Sequence, residues 1–198
     1  MSTPWLIAGL GNPGPEYELT PHNLGFLTVD RLAARHQVRV TRKEVAALVG
    51  IGTVVGHPVV LAKPQTYMNV SGPSVKALLE KYELGPENLL LVYDELALEW
   101  KQLRLRPKGS SAGHNGVESV IRSLGTQEFA RLRLGIFPGH PVDGAKFVLS
   151  PMRRAQLNEL DELLDQAAAA VESVITEGVE KAMTKYNRRA QGQNLEEQ

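Results

Sequence analysis

Short apolar runs that alternate with amphipathic helical patterns constrain this chain more than any other feature. Residues 5–10 and 89–93 are continuous apolar segments, which is typical of strands buried on both faces of a sheet. Apolar residues recur at helical spacing over residues 26–33, 75–82 and 152–176. Strands that alternate with helices favour an α/β fold, so we expect a single three-layer domain with a twisted mixed β-sheet flanked by helices and a helical C-terminus.

Turn residues and alternation patterns place the remaining strands. Two β-branched runs over residues 45–62 meet at Gly56 and predict a hairpin. Residues 103–106 alternate leucine with arginine, which predicts a half-exposed strand with a basic face. We assign two further strands to residues 132–136 and 146–149. The sheet is therefore expected to mix buried and half-exposed strands.

Length and composition exclude several classes of protein. A chain of 198 residues is most simply one domain, here residues 1–189, followed by a flexible polar tail over residues 190–198. The absence of cysteine excludes thiol nucleophiles, disulfides and cysteine-based zinc sites, and the five histidines lack the H-x-x-x-H spacing of a metal site. No basic segment precedes the short N-terminal apolar run, and no stretch approaches about 18 apolar residues, so we expect a cytoplasmic protein with no membrane partner.

The charges balance overall but are unevenly distributed. Lys and Arg total 22, as do Asp and Glu. Residues 100–133 nevertheless carry seven basic and two acidic residues, whereas residues 158–177 carry six acidic residues and no basic one. Solvated strand and helix faces explain such runs, and so does a surface that binds a polyanion.

The candidate site lies in four loops that combine Gly or Pro with asparagine or histidine. They are G-L-G-N-P-G (9–14), T-P-H-N (20–23), T-Y-M-N-V-S-G (66–72) and G-H-N-G (113–116). A turn accounts for any one of them, since asparagine satisfies local backbone groups. Three of the loops follow strand-like runs, which would bring them to one edge of the sheet. Neutral amides near a histidine suit a substrate of peptide and ribose groups and a base that takes a proton from water.

Two carboxylates, Asp94 and Glu95, follow the central strand, where ligand sites gather in open α/β sheets. They indicate either a paired general acid and base or, more economically, one carboxylate that orients a histidine. His22 lies beside a predicted helix start, whose positive end disfavours imidazolium and favours a neutral ring; a structural histidine is the alternative. The G-x-G-x-x-G match at residues 9–14 indicates no dinucleotide site, because Pro13 and Pro15 prevent the helix that such a site requires.

These loops, together with K-P-Q-T-Y-M-N from Lys63, D-E-L from Asp94 and Q-E-F-A-R-L-R-L-G-I from Gln127, closely resemble the bacterial-type peptidyl-tRNA hydrolase family over about residues 5–150. The resemblance implies a monomeric α/β hydrolase that cleaves the ester joining a peptide to the 3′ ribose of tRNA. It also implies an enzyme that needs no metal or cofactor and that recycles tRNA from stalled translation. The implied partner is peptidyl-tRNA, contacted at its acceptor stem and 3′ end.

The same resemblance implies a role for each site residue. His22 is the general base for the attacking water, Asp94 holds its ring, and Asn12 and Asn69 position the substrate around the ester. The other implied contacts are Met68 and Tyr67 in the peptide pocket, Tyr17 near the terminal adenosine, Asn115 and His114 at the peptide backbone or water, and Arg104, Arg106, Lys108 and Arg133 along the acceptor stem.

Two other functions are compatible with parts of this pattern. A non-catalytic RNA-binding relative of the same fold, acting in RNA processing, would keep the basic strand without needing His22 or Asp94. A small-molecule esterase would use the same loop residues, but it would leave the basic strand unexplained. The presence of the histidine, the aspartate and all the loop asparagines favours the enzyme.

Overall fold

A seven-stranded mixed sheet forms the centre of the computed structural model, which describes residues 2–187. The strands are β1 (Trp5–Gly9), β2 (Arg42–Glu44), β3 (Ala47–Val54), β4 (His57–Pro64), β5 (Leu89–Glu99), β6 (Leu103–Arg106) and β7 (Ala130–Phe137). The helices are α1 (Leu24–Arg35), α2 (Ser71–Lys81), α3 (Asn115–Leu124), α4 (Gly144–Phe147), α5 (Arg154–Glu177) and α6 (Val179–Tyr186).

The strand order brings the candidate loops to one edge of the sheet. The order is β2-β3-β4-β1-β5-β7-β6, and the strands β4, β1, β5 and β7 run parallel to one another. Parallel strands end at the same edge, so the segments that follow β1 and β4 open beside the C-terminal half of β5. Asn12, Asn69 and Asp94 therefore meet at that edge.

Helices cover both faces of the sheet. Leu90 and Val92 of β5 pack with α1 and α5, whereas Leu91 and Tyr93 pack with α2 and α3. This separation follows from the alternation of side chains along a strand. The prediction of a three-layer α/β domain with a mixed sheet and a helical C-terminus is confirmed.

The acidic run of residues 158–177 lies on α5 and faces basic residues of α1. Arg31 bonds Asp161 and Asp165 at 2.5 and 2.7 Å, and Arg35 Nε lies 2.9 Å from a carboxylate oxygen of Glu172. This charge run therefore takes part in packing one helix on another. Each exposed pair contributes less than about 1 kcal/mol.

One prediction about local structure was wrong, and one strand was missed. Residues 146–149 are not a strand: α4 ends at Phe147, and a turn follows. The Asp143 side chain accepts the backbone N–H of Lys146 at 3.4 Å, and this N-cap outweighs the β-propensity of the apolar residues after it. Conversely, β2 was not predicted, because its three residues are polar and show no alternation.

The loop that carries His114 reaches the site by a different route from the other loops. Because β6 is antiparallel to β7, it ends at the far edge of the sheet, and residues 107–113, here called the return loop, run back toward the site. The buried guanidinium of Arg131 donates to the carbonyls of Ser110 and Gln127 at 3.2 and 2.8 Å, which fastens this loop. The expectation that this loop directly follows a strand onto the site edge was therefore wrong.

The predicted tail, residues 190–198, lies outside the described residues, so the domain boundary at residue 189 stays a prediction. No helix within residues 2–187 combines the length and apolar character needed to cross a membrane.

Candidate active site

His22 lies in a one-turn 3₁₀ helix, Pro21–Asn23, immediately before α1. Its backbone N–H donates to the Val148 carbonyl at 3.0 Å, which ties this turn to the end of α4. Its Nδ1 lies 2.8 and 3.0 Å from the two carboxylate oxygens of Asp94, at the C-terminal half of β5. The sheet and the turn thus bring together two residues that are 72 positions apart in sequence.

A second histidine completes the environment of the carboxylate. His114 Nε2 lies 3.0 Å from Asp94 Oδ1, and the two imidazole rings are 4.9 Å apart. The other ring nitrogen of His114 accepts the backbone N–H groups of Gly116 and Val117 at 3.1 and 3.3 Å, which caps the start of α3. A nitrogen that accepts N–H groups carries no proton, so His114 is the tautomer that donates from Nε2 to Asp94.

Asp94 is buried, with 2% of its surface exposed. Burial by itself would raise the pKa of its carboxyl, but electrostatic interactions and hydrogen bonds with His114 and His22 outweigh burial and lower that pKa below its usual range. The carboxylate therefore accepts hydrogen bonds from both rings.

This arrangement fixes the tautomer of His22. Because the Asp94 carboxylate can only accept, His22 Nδ1 donates to it, and Nε2 is left as the nitrogen with a free lone pair. Two adjoining grooves are lined by His22. The contact with Asp94 therefore orients the His22 ring in a position that borders both grooves.

Asn12 is held in place through both its backbone and its side chain. Its Oδ1 accepts the Met68 N–H at 2.7 Å, while the buried side chain of Asn23 accepts from its backbone N–H at 2.8 Å and donates to its carbonyl at 3.0 Å. With Oδ1 occupied, the Nδ2 amide group of Asn12 is the part available as a donor. The sequence analysis missed the role of Asn23. The only signal in the sequence was the position of this asparagine directly after His22.

The first of the two grooves, here called the catalytic groove, has a volume of about 360 Å³. Its polar lining comes from His22, Asn12, Asn69 and Asn115, and no side-chain hydrogen bond of Asn69 or Asn115 is found within residues 2–187. Its remaining lining is aromatic and apolar, from Tyr17, Tyr67, Met68, Ala145, Val148 and Leu149. Tyr67 is 65% exposed and Met68 is buried. The predicted ester-site residues are thus neighbours in one cleft.

The second groove, here called the Glu95 groove, shares His22, Asn115, Ala145 and Val148 with the catalytic groove and has a volume of about 280 Å³. It is lined by Asp94, Glu95 and Leu96 of β5, by residues 112–115 and by residues of α4. The carboxylate of Glu95 lies 3.5 Å from Arg133, so this groove leads toward the basic strands.

The basic residues form two facing pairs on β6 and β7. Arg104 lies opposite Arg133 and Arg106 lies opposite Arg131, all on the face covered by α3 and the return loop. Burial, followed by repulsion from Arg104 and Arg133, lowers the pKa of Arg106. Like charges directly opposite each other destabilise a sheet, so a bound anion would stabilise this surface.

These basic residues differ in solvent exposure and in the partners that they contact. Arg133 has 18% of its side chain exposed, and its Nε bonds the Tyr93 hydroxyl at 3.3 Å in addition to its contact with Glu95. Arg131 is fully buried. Lys108, in the return loop, is exposed. The structure thus brings the four residues that are predicted to contact tRNA onto one surface. Of these four side chains, only Lys108 is exposed; the three arginines are half-buried.

The cluster of His22, Asp94 and His114 also has the composition of a metal site, with all three potential ligand atoms within 4.8 Å of one another. Spacing rules missed it, because its members come from three separate segments. A histidine that binds a metal through one nitrogen normally donates its other N–H. His114 instead accepts two N–H groups at Nδ1, which matches a proton on Nε2 better than a metal there.

Comparison with known proteins supports one assignment. The family model described as "Peptidyl-tRNA hydrolase" matches residues 6–194. Peptidyl-tRNA hydrolases of Solibacter usitatus and Koribacter versatilis are 58% and 49% identical over 98% and 93% of this chain and 99% and 92% of their own lengths. A crystal structure of the Acinetobacter baumannii peptidyl-tRNA hydrolase superposes with a TM-score of 0.86 at 35% identity, covering 94% of this chain and 96% of that one. With its sheet order and its loop motifs, this chain belongs to the peptidyl-tRNA hydrolase family.

Proposed function

We propose that this protein hydrolyses the ester between the peptide and the 3′ ribose of peptidyl-tRNA, with His22 as the general base and Asp94 as the residue that orients it. The observation that carries this assignment is the chain of hydrogen bonds from the α3 backbone through His114 and Asp94 to His22. This chain leaves one basic nitrogen beside a cleft lined by amide side chains.

The chemistry follows from that nitrogen. His22 Nε2 takes a proton from water as the water oxygen attacks the ester carbonyl carbon. The carbonyl oxygen becomes an oxyanion, toward which the free Nδ2 group of Asn12 donates. When the intermediate collapses, the bond to the ribose 3′ oxygen breaks and protonated His22 returns the proton to that oxygen. The products are the free peptide acid and tRNA.

Helices α2 and α3 support the same step. Both begin at the catalytic groove, next to Asn69 and Asn115, so their positive ends face the carbonyl on which negative charge develops. Asn69 and Asn115 supply neutral donors and acceptors that hold the peptide group and the water without a charge to desolvate.

The tRNA is held outside the ester site. Lys108, Arg104, Arg106 and Arg133 track the phosphates of the acceptor stem, because phosphate contacts release counterions and favour binding. Tyr17 offers a flat surface on which the terminal adenine stacks, as aromatic side chains do for single-stranded bases, and the exposed ring of Tyr67 borders the peptide pocket. We further propose that the protein is a cytoplasmic monomer that works without a metal and clears peptidyl-tRNA from stalled translation.

The non-catalytic RNA-binding alternative is not favoured. Such a protein would need neither the oriented His22 nor the amide-lined cleft, and the relatives compared above are named as hydrolases.

His22→Asn tests the assignment directly. We expect the rate of release of N-acetylated amino acid from tRNA to fall roughly 10²–10⁴-fold, the usual effect of removing a general base. The matched control is His57→Asn, at the start of β4 and away from the site, which should retain wild-type activity. If His22→Asn kept half of the wild-type rate with an intact fold, His22 would not be the base.

A further inference from the structure

Arg131 is a fully buried cation on β7. Its guanidinium lies over the Phe129 ring, 4.3 Å from the ring centroid, and donates to the backbone carbonyls of Ser110 and Gln127. It also interacts with the Tyr93 hydroxyl. These partners are neutral, and a buried charge without an opposite charge is costly. An apolar side chain in this place would avoid that cost, which indicates that the guanidinium has a role beyond packing.

This role is not a direct contact with the substrate. None of the surface of Arg131 is exposed, and the linings of the catalytic groove and the Glu95 groove do not include it. The neighbouring Arg104, Arg106 and Arg133 are half-buried and keep the tRNA contacts proposed above. Any effect of Arg131 on the reaction therefore passes through the residues that it holds.

One route from Arg131 to the active site runs through the return loop. The guanidinium bridges the carbonyls of Ser110 and Gln127 with its two terminal nitrogens. The next residue of the loop, Ser111, accepts the backbone N–H of His114 at 3.0 Å. That histidine caps α3 and donates to the buried carboxylate of the site. The guanidinium thus holds the loop one residue before the turn that sets the position of His114.

The return loop needs such a support because its backbone is not in a relaxed conformation. Ala112 has a φ of 48°, in the left-handed region that is unfavourable for a residue with a Cβ atom. Such conformations persist only where the surrounding structure holds them. The contact at Ser110 lies two residues before this position, and His114 lies two residues after it.

A second route runs through Tyr93, directly before Asp94 on β5. Its hydroxyl interacts with the guanidinium of Arg131, and its ring stands edge-on to the His114 ring, with centroids 5.0 Å apart at an angle of 60°. Edge-to-face packing of this kind favours one orientation of the two rings. Arg131 therefore reaches His114 both through the loop backbone and through an aromatic side chain.

We propose that Arg131 is a positioning residue of the hydrolysis. It holds His114, through the return loop and the Tyr93 ring, in the orientation that donates to Asp94. The carboxylate in turn keeps the ring of His22 oriented. This inference rests on the proposed function. The role needs an arginine, because a planar guanidinium spans two carbonyls while its face lies on an aromatic ring, and a lysine ammonium does not.

Arg131→Lys tests the proposal, because it keeps the charge and removes the planar fork. We expect kcat to fall about tenfold, equivalent to about 1.4 kcal/mol, which is within the range for a hydrogen bond from a charged group. The loss should be the same on full-length substrate and on a minimal substrate that keeps only the terminal nucleotides and the peptidyl ester. Phe129→Leu, which removes the ring under the guanidinium, repeats the test if Arg131→Lys does not fold, and it should lower kcat in the same direction.

The double variant of Arg131→Lys with His114→Ala separates positioning from stability. His114→Ala alone should lower kcat, because Asp94 loses one of its two donors. If Arg131 acts through His114, adding Arg131→Lys should lower kcat by less than about twofold more. A residue that only stabilised the fold would give independent losses that multiply.

A spectroscopic readout and two controls complete the design. In ¹⁵N NMR the His114 proton should lie on Nε2 in the wild type and be shared between both ring nitrogens in Arg131→Lys. Arg122→Lys makes the same replacement at an exposed position on α3 and should change neither kcat nor the His114 signals. Ile136→Ala destabilises the same strand without touching the return loop, and the folded protein should keep its kcat.

The outcomes separate the proposal from the proposed function. A lowered kcat in Arg131→Lys, losses that do not multiply in the double variant, and a redistributed His114 proton support the positioning role. An unchanged kcat in the folded variant, losses that multiply, or an equal fall of kcat in Ile136→Ala overturns it. A wild-type protein that released no peptide acid would instead refute the proposed function, whereas the NMR measurement needs no substrate and still shows whether Arg131 fixes His114.

Discussion

Replacing Asp94 by asparagine tests the tautomer argument at the centre of the site. The carboxylate accepts from both His22 and His114, whereas an amide has one accepting oxygen and one donating NH₂ group. His114 is fixed as a donor by the backbone N–H groups that cap α3, so it takes the amide oxygen. His22 then faces the NH₂ group, accepts a hydrogen bond at Nδ1 and carries its proton on Nε2. In this form Nε2 cannot take a proton from water.

The size of the effect follows from that conflict. In Asp94→Asn, the active tautomer of His22, with its proton on Nδ1, would face the N–H group of the amide or lose its hydrogen bond. This costs roughly 1–3 kcal/mol and lowers the population of that tautomer roughly 5- to 150-fold. The imidazolium formed during the reaction also loses a charged partner, which adds about 1 kcal/mol. We therefore expect kcat of Asp94→Asn to fall roughly 30- to 1,000-fold, with little change in tRNA affinity.

The assay is single-turnover release of N-acetylated amino acid from tRNA, with tRNA binding measured separately. ¹⁵N NMR of the histidine rings should show the His22 proton moving from Nδ1 to Nε2. Asp30→Asn is the matched control, since Asp30 pairs with Lys63 outside the catalytic groove, and it should leave kcat unchanged.

A second variant sharpens this test. Adding His114→Ala to Asp94→Asn removes the competing donor, so the amide oxygen can turn to His22 and activity should recover in part. The reasoning would be refuted by a kcat loss below about fivefold in Asp94→Asn, the low end of the tautomer cost. A double variant slower than Asp94→Asn would refute it as well.

Four further outcomes are expected. Asn23→Ala should lower kcat while leaving tRNA affinity intact, because it releases the backbone of Asn12; a loss of affinity alone would contradict this. Lys108→Gln should raise KM and reduce the log–log salt slope of binding by roughly 0.7–0.9, one phosphate's share, whereas Lys43→Gln on β2 should not; parallel slopes would refute tRNA docking there. EDTA should leave the rate unchanged, and activity lost to EDTA and restored by a metal would reveal a metal at the His–Asp cluster. The lowered pKa of Asp94 means that its carboxylate stabilises the fold above the pKa of an unfolded aspartate, about 3.9. The difference in unfolding free energy between wild type and Asp94→Asn should therefore shrink as the pH falls below that value.

Local pattern was enough to predict the architecture. The continuous apolar run of β5 and the leucine–arginine alternation of β6 each depend on how side chains alternate along a strand, which is visible in a few residues. The same holds for the loops that carry Asn12 and Asn69, because they follow parallel strands and must open at one edge. Where a local cap opposed strand propensity, as at Asp143 before α4, the pattern alone gave the wrong element.

The sequence by itself determined the fold class, the family and the set of residues that could do the chemistry. Only the tertiary structure decided how they are connected: that Asp94 serves two histidines, that Asn23 clamps Asn12, and that Arg133 is partly neutralised by Glu95 while Lys108 stays free. These facts depend on the direction of hydrogen bonds and on distances between segments up to 72 residues apart. A residue type fixes which groups can donate or accept, but only packing fixes which partner each one meets.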